Sequence, residues 1–274
     1  VNWAEQSGNE ALVQAAINAG NLVSPFLVDP SPDAARAPAA LALDANPRLA
    51  PGKAPHANGV LVAPFDALME QSAGLGFVNL QPDPDGVIRR VPLLMELDGA
   101  LVPSFFLQAL AVQLDYDLEQ IEVSNRSRVI LHNFPKPDTG MARDLTLPLD
   151  RDGNLLVNYA GPLDIAIYPN SYSAWNLLTA STTPDFSGKL VFLADTSTQA
   201  SQYGDVSPTP LDNTFPRAYI WSNAASMLLT DAFITPVPYG FAIFMTVLLG
   251  GLLVFAAWHL RTLWFSTAAL GMLV

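Results

Sequence analysis

Four charged residues crowd one short segment: Asp83, Asp85, Arg89 and Arg90. Two carboxylates beside two guanidiniums could anchor a small anion or a sugar through charge-assisted hydrogen bonds. The same spacing has a simpler reading. Asp83-Pro84-Asp85-Gly86 is turn chemistry, with carboxylates able to bond their own backbone while Arg89 or Arg90 pairs nearby. A calcium loop fails on register, because Gln81 lies two residues before Asp83 and Pro92 stands where the bidentate Glu belongs. A second set, Asp195, Thr196 and Ser197, follows the apolar run Lys189–Ala194, and Asp205 lies in the next loop. If that run is a buried strand, these residues sit at its carboxyl end, where open α/β sheets leave a ligand crevice. The alternative is a satisfied cap and turn.

Catalytic chemistry is thin. His56, His132 and His259 match no zinc spacing, and there is no cysteine. No Gly-x-Ser-x-Gly elbow exists for a hydrolytic triad. Gly74-x-Gly76-x-x-Asn79 lacks the third glycine and the preceding strand of a dinucleotide fingerprint. No catalytic residue, metal or cofactor is therefore expected; the eight residues above are candidate ligand contacts.

Positioning them falls to an α/β fold with a mixed sheet flanked by helices. NEALVQAAINA at 9–19 has helical composition, with Gly20 placed to end the helix and a strand expected over 21–28. Residues 30–59, rich in Pro and Ala, read as a long exposed connection. A short helix near 65–71, a strand at 76–80, the turn at 83–86 and a returning strand at 87–96 come next. Asp98-Gly99 signals a hairpin, and Ser104 can cap a helix running to Leu114. Short strands are expected at 121–124 and 129–132, and a third hairpin at Asp152-Gly153 between 146–149 and 155–159. A short helix at 172–178, a strand covered on both faces at 189–194 and a helix at 216–230 complete the soluble part.

The composition is in conflict with itself. The chain of 274 residues carries 13 Lys and Arg against 25 Asp and Glu, yet its mean hydropathy is +0.27. The conflict resolves by partition: all the acidic residues and every basic one except Arg261 lie in residues 1–236. So acidic a domain is no partner for nucleic acid, which needs clustered Lys and Arg. From Tyr239 to Trp258 the sequence runs without a charge, long enough at about 1.5 Å per residue to cross a bilayer, and aromatic residues bound it. Arg261 in the following turn marks the cytoplasmic side, which puts residues 1–236 outside. A second apolar run then stops at Val274, and no export signal precedes Val1. The reading therefore expects a fragment: an extracytoplasmic domain over 1–236 that lacks its N-terminal part, then a membrane region over 237–274. The latter holds one complete span and one cut short.

An ordered succession of blocks carries a family resemblance. GLGFVNLQPDPDGVIRRVPLL (74–94) and VPSFFLQAL (102–110) come first, then LPLDRDGNLLVNYAGP (147–162). GKLVFLADTSTQASQYGDVSPTPL (188–211) and WSNAASMLLTDAFI (221–234) follow, with a membrane segment behind. Over residues 9–236 this resembles the CHASE2 domain, the extracytoplasmic sensor of bacterial transmembrane receptors. Two blocks depart from the family pattern: Ala194-Asp195-Thr196-Ser197, where Gly-Ala-Thr-Ala is usual, and Pro216-Arg217-Ala218-Tyr219, where Gly-Val-Glu is usual. The resemblance implies a membrane helix before the sensor, further helices after it, and a cytoplasmic output. That output is an adenylate or guanylate cyclase, or else a histidine kinase, a serine/threonine kinase or a diguanylate cyclase. A membrane-anchored solute-binding module is the competing class. Expected partners are the lipid bilayer of a bacterial inner membrane, an unidentified small-molecule or physical stimulus, and a second protomer in a homodimer. The helix at 216–230, the connector Asp231–Pro238 and the span form the expected signal exit.

Overall fold

The computed structural model describes residues 8–29, 54–97, 99–125, 128–136, 139–164, 166–180, 184–196, 205–235, 237 and 239–259. The chain divides into two units, Val1–Ile234 and Thr235–Val274.

In the first unit, helix α1 (Asn9–Ala19) ends where Gly20 takes a left-handed conformation, φ 66°, and its N–H bonds the Ala16 carbonyl. Strand β1 (Val23–Asp29) follows. The end of the Pro/Ala connection is not exposed chain. Ala54 and Ala57 are buried, His56–Ala57 forms β2 and Gly59–Val62 forms β3, because small alanine side chains fit where strands approach closely. After α2 (Asp66–Glu70), β4 (Gly74–Phe77) runs parallel to β1, while β3 lies antiparallel on β1's other side. Asn79 lengthens this contact, accepting from the Val28 N–H at 2.8 Å and donating to its carbonyl at 2.7 Å.

The run 87–96 does not return as one strand. It breaks at Leu93 into β5 (Arg90–Pro92) and β6 (Leu94–Leu97). Strand β6 pairs with β2 and with β7 (Ala100–Pro103), whose register joins Leu97 to Ala100 across the expected two-residue turn. Ser104 then occupies the N-cap of α3 (Phe105–Leu114), but its hydroxyl makes no capping bond and is buried without a partner. A 3₁₀ turn (Leu118–Gln120) leads into β8 (Ile121–Asn125), β9 (Arg128–Pro135) and β10 (Ala142–Pro148), an antiparallel sheet. Strand β11 (Asn154–Leu156) pairs with β5, so the Asp152-Gly153 turn reverses the chain with only one bridge, Leu149 to Leu155, across it. Helix α4 (Ala174–Thr179) buries no residue. Strands β12 (Val206–Ser207) and β13 (Phe215–Pro216) form a small ladder before α5 (Arg217–Thr230).

The fold is thus mixed α/β, but among the described residues the single mixed sheet expected is divided into five small ones. The second correction concerns Lys189–Ala194. It forms no strand; Val191 is 57% and Leu193 91% exposed, while Leu190 and Phe192 pack against the core. Alternation of inward and outward side chains replaces burial on both faces.

The main core joins α3 and α5 to the sheet β8–β10. Phe106 stacks on Trp221 with ring centroids 5.9 Å apart, a geometry that adds about 0.5–1.5 kcal/mol to area burial. Gly74 and Gly76 allow α3 to lie close on β4: a Cβ at Gly76 would come within 2.8 Å of the Phe105 backbone nitrogen, and one at Gly74 would strike the Gln108 side chain. These glycines serve close packing.

In the second unit, helix α6 (Tyr239–His259) is long and apolar enough, over Gly240–His259, to cross a membrane. The expected second span, after Arg261, lies outside the described residues.

Candidate functional site

The turn before β5 gathers the densest charge. The Asp83 N–H bonds the Val87 carbonyl and Gly86 N–H bonds the Asp83 carbonyl, closing a tight reversal with Gly86 at φ 82°. Both carboxylates then face the two arginines. Arg89 donates to Asp85 through two nitrogens, at 2.9 and 2.8 Å, and to Asp83 at 3.0 Å. Arg90 donates to Asp83 and lies 3.3 Å from Asp150 in the next turn. The Arg89 guanidinium, together with the Val87 N–H, holds the Asp85 carboxyl down to about 2; the two carboxylates in turn raise the Arg89 pKa. Each arginine is engaged by carboxylates of the same cluster. An incoming anion would have to displace one of them, whereas a polyhydroxylated or cationic group could add to their outer oxygens.

Hydrogen bonds tie this clasp to the N-terminus of α5. Ile88 N–H donates to the Pro208 carbonyl at 2.8 Å, and Tyr159 hydroxyl donates to the Ile88 carbonyl at 2.9 Å. Pro208 follows β12, whose neighbour Asp205 accepts from the Arg217 N–H at 2.8 Å through its carbonyl. Arg217 Nε also donates to Ser207 Oγ at 2.9 Å. Asp83, Asp85, Arg89, Arg90 and Asp205 therefore flank one connected path from turn to helix N-terminus. Asp195 and Thr196 are exposed, but on a segment that is not a strand, so the crevice argument for them lapses. Ser197 lies outside the described residues.

Helix α5 is gripped along its length. Asn223, 5% exposed, accepts from the Ala160 N–H at 2.9 Å and donates to Tyr168 hydroxyl and the Tyr219 carbonyl. Burial raises the pKa of both Tyr159 and Tyr168, so they remain neutral hydrogen-bonding phenols. One turn on, Asn158 N–H reaches Met227 Sδ and its side chain donates to the Ala232 carbonyl. At the helix end Asp231, in a left-handed conformation at φ 57°, pairs with Arg143 of β10. Asp150, Tyr159, Arg217 and Asn223 were not singled out from sequence. The available signal was Asn223, one polar residue among the helically spaced apolar Ile220, Ala224 and Met227.

Among the described residues no group of three or more His, Asp or Glu is arranged to hold a metal ion. The family model of the CHASE2 domain matches residues 3–256. No curated protein and no solved structure matches the chain.

Proposed function

This chain belongs to the CHASE2 domain family, and we propose on that premise that it forms the sensor and membrane portion of a bacterial receptor controlling a cytoplasmic adenylate or guanylate cyclase. CHASE2 is an extracytoplasmic sensor domain of signalling receptors, and the match over residues 3–256 is the observation that carries the reading. Among the described residues, one apolar helix is long enough to cross a membrane, and it supports the reading from the second unit. Residues 1–236 then lie in the periplasm, with Arg261 on the cytoplasmic face. The cyclase is the commonest output in the resemblance noted above; a kinase is its alternative.

The stimulus acts where the clasp meets α5. Asp83, Asp85, Arg89, Arg90 and Asp205 are the proposed contacts, together with Asp195, Thr196 and Ser197 as a second exposed set. A ligand or physical input that reorders the clasp shifts the 205–217 segment and with it α5 against a partner protomer. Such signalling needs two arrangements of the helix whose balance the stimulus biases.

These 274 residues contain no cysteine, so topology is measurable by single cysteines once any cysteine elsewhere in the receptor is replaced by serine. Ser187→Cys and Thr262→Cys are introduced singly into the complete receptor and treated with a membrane-impermeant maleimide on spheroplasts. Ser187→Cys is expected to label in intact cells and Thr262→Cys only after lysis; the reverse pattern overturns the reading. Cyclic AMP or cyclic GMP formation by the same membranes tests the output, and protein phosphorylation without either nucleotide replaces the cyclase by a kinase.

A further inference from the structure

His132 occupies the outer face of the β8–β10 sheet between two carboxylates. Its Nε2 lies 3.1 Å from Glu122 of β8 and its Nδ1 lies 3.1 Å from Asp144 of β10. A neutral imidazole carries one N–H and one lone pair, so it can donate to only one carboxylate and must turn its lone pair to the other. Two such contacts at hydrogen-bond distance are satisfied together only by the imidazolium. The carboxylates are prepared for it: Ser124 hydroxyl donates to Glu122 at 2.6 Å, and the Asn133 N–H donates to Asp144 at 3.1 Å.

Position in the sheet gives this triad leverage. The β9–β10 register shifts between Arg143 and Leu145, so His132 and Asn133 together face the single residue Asp144. That is a bulge, and Asn133 accommodates it with φ 53°. Asp144 closes the bulge with one carboxylate oxygen on the Asn133 N–H and the other on His132. The adjacent residue, Arg143, is the one that pairs with Asp231 at the end of α5.

We propose that His132, Glu122 and Asp144 form a proton-operated latch, closed when His132 is an imidazolium, which holds the β9–β10 bulge and through Arg143–Asp231 the C-terminal end of α5. Protons are thereby a direct input to the sensor. The signalling consequence rests on the receptor reading; the latch itself does not.

The charge environment agrees. The hydrogen bonds His132 donates, to Glu122 first and then to Asp144, raise its pKa above the ordinary value, and both carboxylates are lowered. Arg128 is the other charge acting on Glu122, and Tyr116, with Asp117 near it, feels Asp144 from beneath the sheet. Because the folded His132 pKa is raised, its contribution is complete below about pH 6.5 and is lost as pH rises through the folded value. The carboxylates contribute above their unfolded values near about 4 and lose this as pH falls through their lowered ones. The latch is closed in mildly acidic surroundings and opens towards alkaline pH.

The test uses the whole 274-residue chain in detergent micelles with isotope-labelled histidine. It has three histidines, so His132→Gln assigns the signal. His132 should titrate above about 6.5, and Glu122→Gln or Asp144→Asn should each bring the midpoint down. A midpoint at or below 6.5 overturns the latch. Hydrogen exchange of the 225–234 segment, corrected for chemical exchange, is then followed from about pH 5.5 to about pH 8. Exchange should quicken by about fivefold or more in the native chain, and not in His132→Gln. Equal behaviour of the two overturns the coupling to α5 even if His132 titrates as stated. Neither readout requires a cytoplasmic output, so failure here is distinct from failure of the receptor reading.

Discussion

At the residue scale, the informative positions are those where one atom decides the packing. Gly76 is buried under the first turn of α3, and a methyl group there would meet the Phe105 backbone, which cannot swing away as a side-chain tip can. Gly76→Ala is therefore expected to destabilise the sensor by about 1–3 kcal/mol, read as a lower urea midpoint with unchanged slope. An unaltered midpoint would mean that α3 does not lie on β4 as described. Gly74 and Gly76 were legible in sequence only as a failed nucleotide fingerprint; their purpose depends on a helix about thirty residues later. The charge clasp was more open to inspection, because Asp83, Asp85, Arg89 and Arg90 are close in the chain and their pairing is local. Asp150, which completes it from the neighbouring turn, was not.

At the element scale, local signals proved informative and long-range pairing did not. The helices at 9–19, 105–114 and 217–230 follow from composition, capping position and the residues that end them. Strand partners do not. The 87–96 run looks continuous, yet its halves enter different ladders, because β11 and β2 come from distant parts of the chain, while only the β6–β7 hairpin is local. Lys189–Ala194 misled for a related reason: an apolar run marks a strand only if another strand is there to pair with it. Its alternation has a measurable consequence. Leu193→Lys, at a position 91% exposed, should leave thermal unfolding of the chain within about 0.5 kcal/mol of native stability. Phe192→Ala removes the edge-to-face contact with Phe105, centroids 5.8 Å apart, and should lower stability by at least about 1 kcal/mol. Equal and large losses in both would restore the two-faced buried strand.

At the scale of the whole molecule, three sets of polar ties converge on one helix. The clasp reaches the N-terminus of α5 through Pro208, Asp205 and Arg217; Asn223 seats its middle; Arg143 holds its end at Asp231. A sensor that must report across a membrane needs one element whose placement summarises the state of the rest, and α5 has that position just before the connector to α6 in sequence. All the acidic charge lies within residues 1–236, whereas α6 adds to the positive mean hydropathy without carrying a charge of Asp, Glu, Lys or Arg. Mechanical transmission from α5 through the 235–238 connector is what we propose these ties serve. It is tested by inserting a flexible Gly/Ser linker there in the complete receptor and measuring output against stimulus, external pH first. The linker should preserve basal output but abolish its dependence on the stimulus. Stimulus dependence that survives the linker unchanged would contradict it.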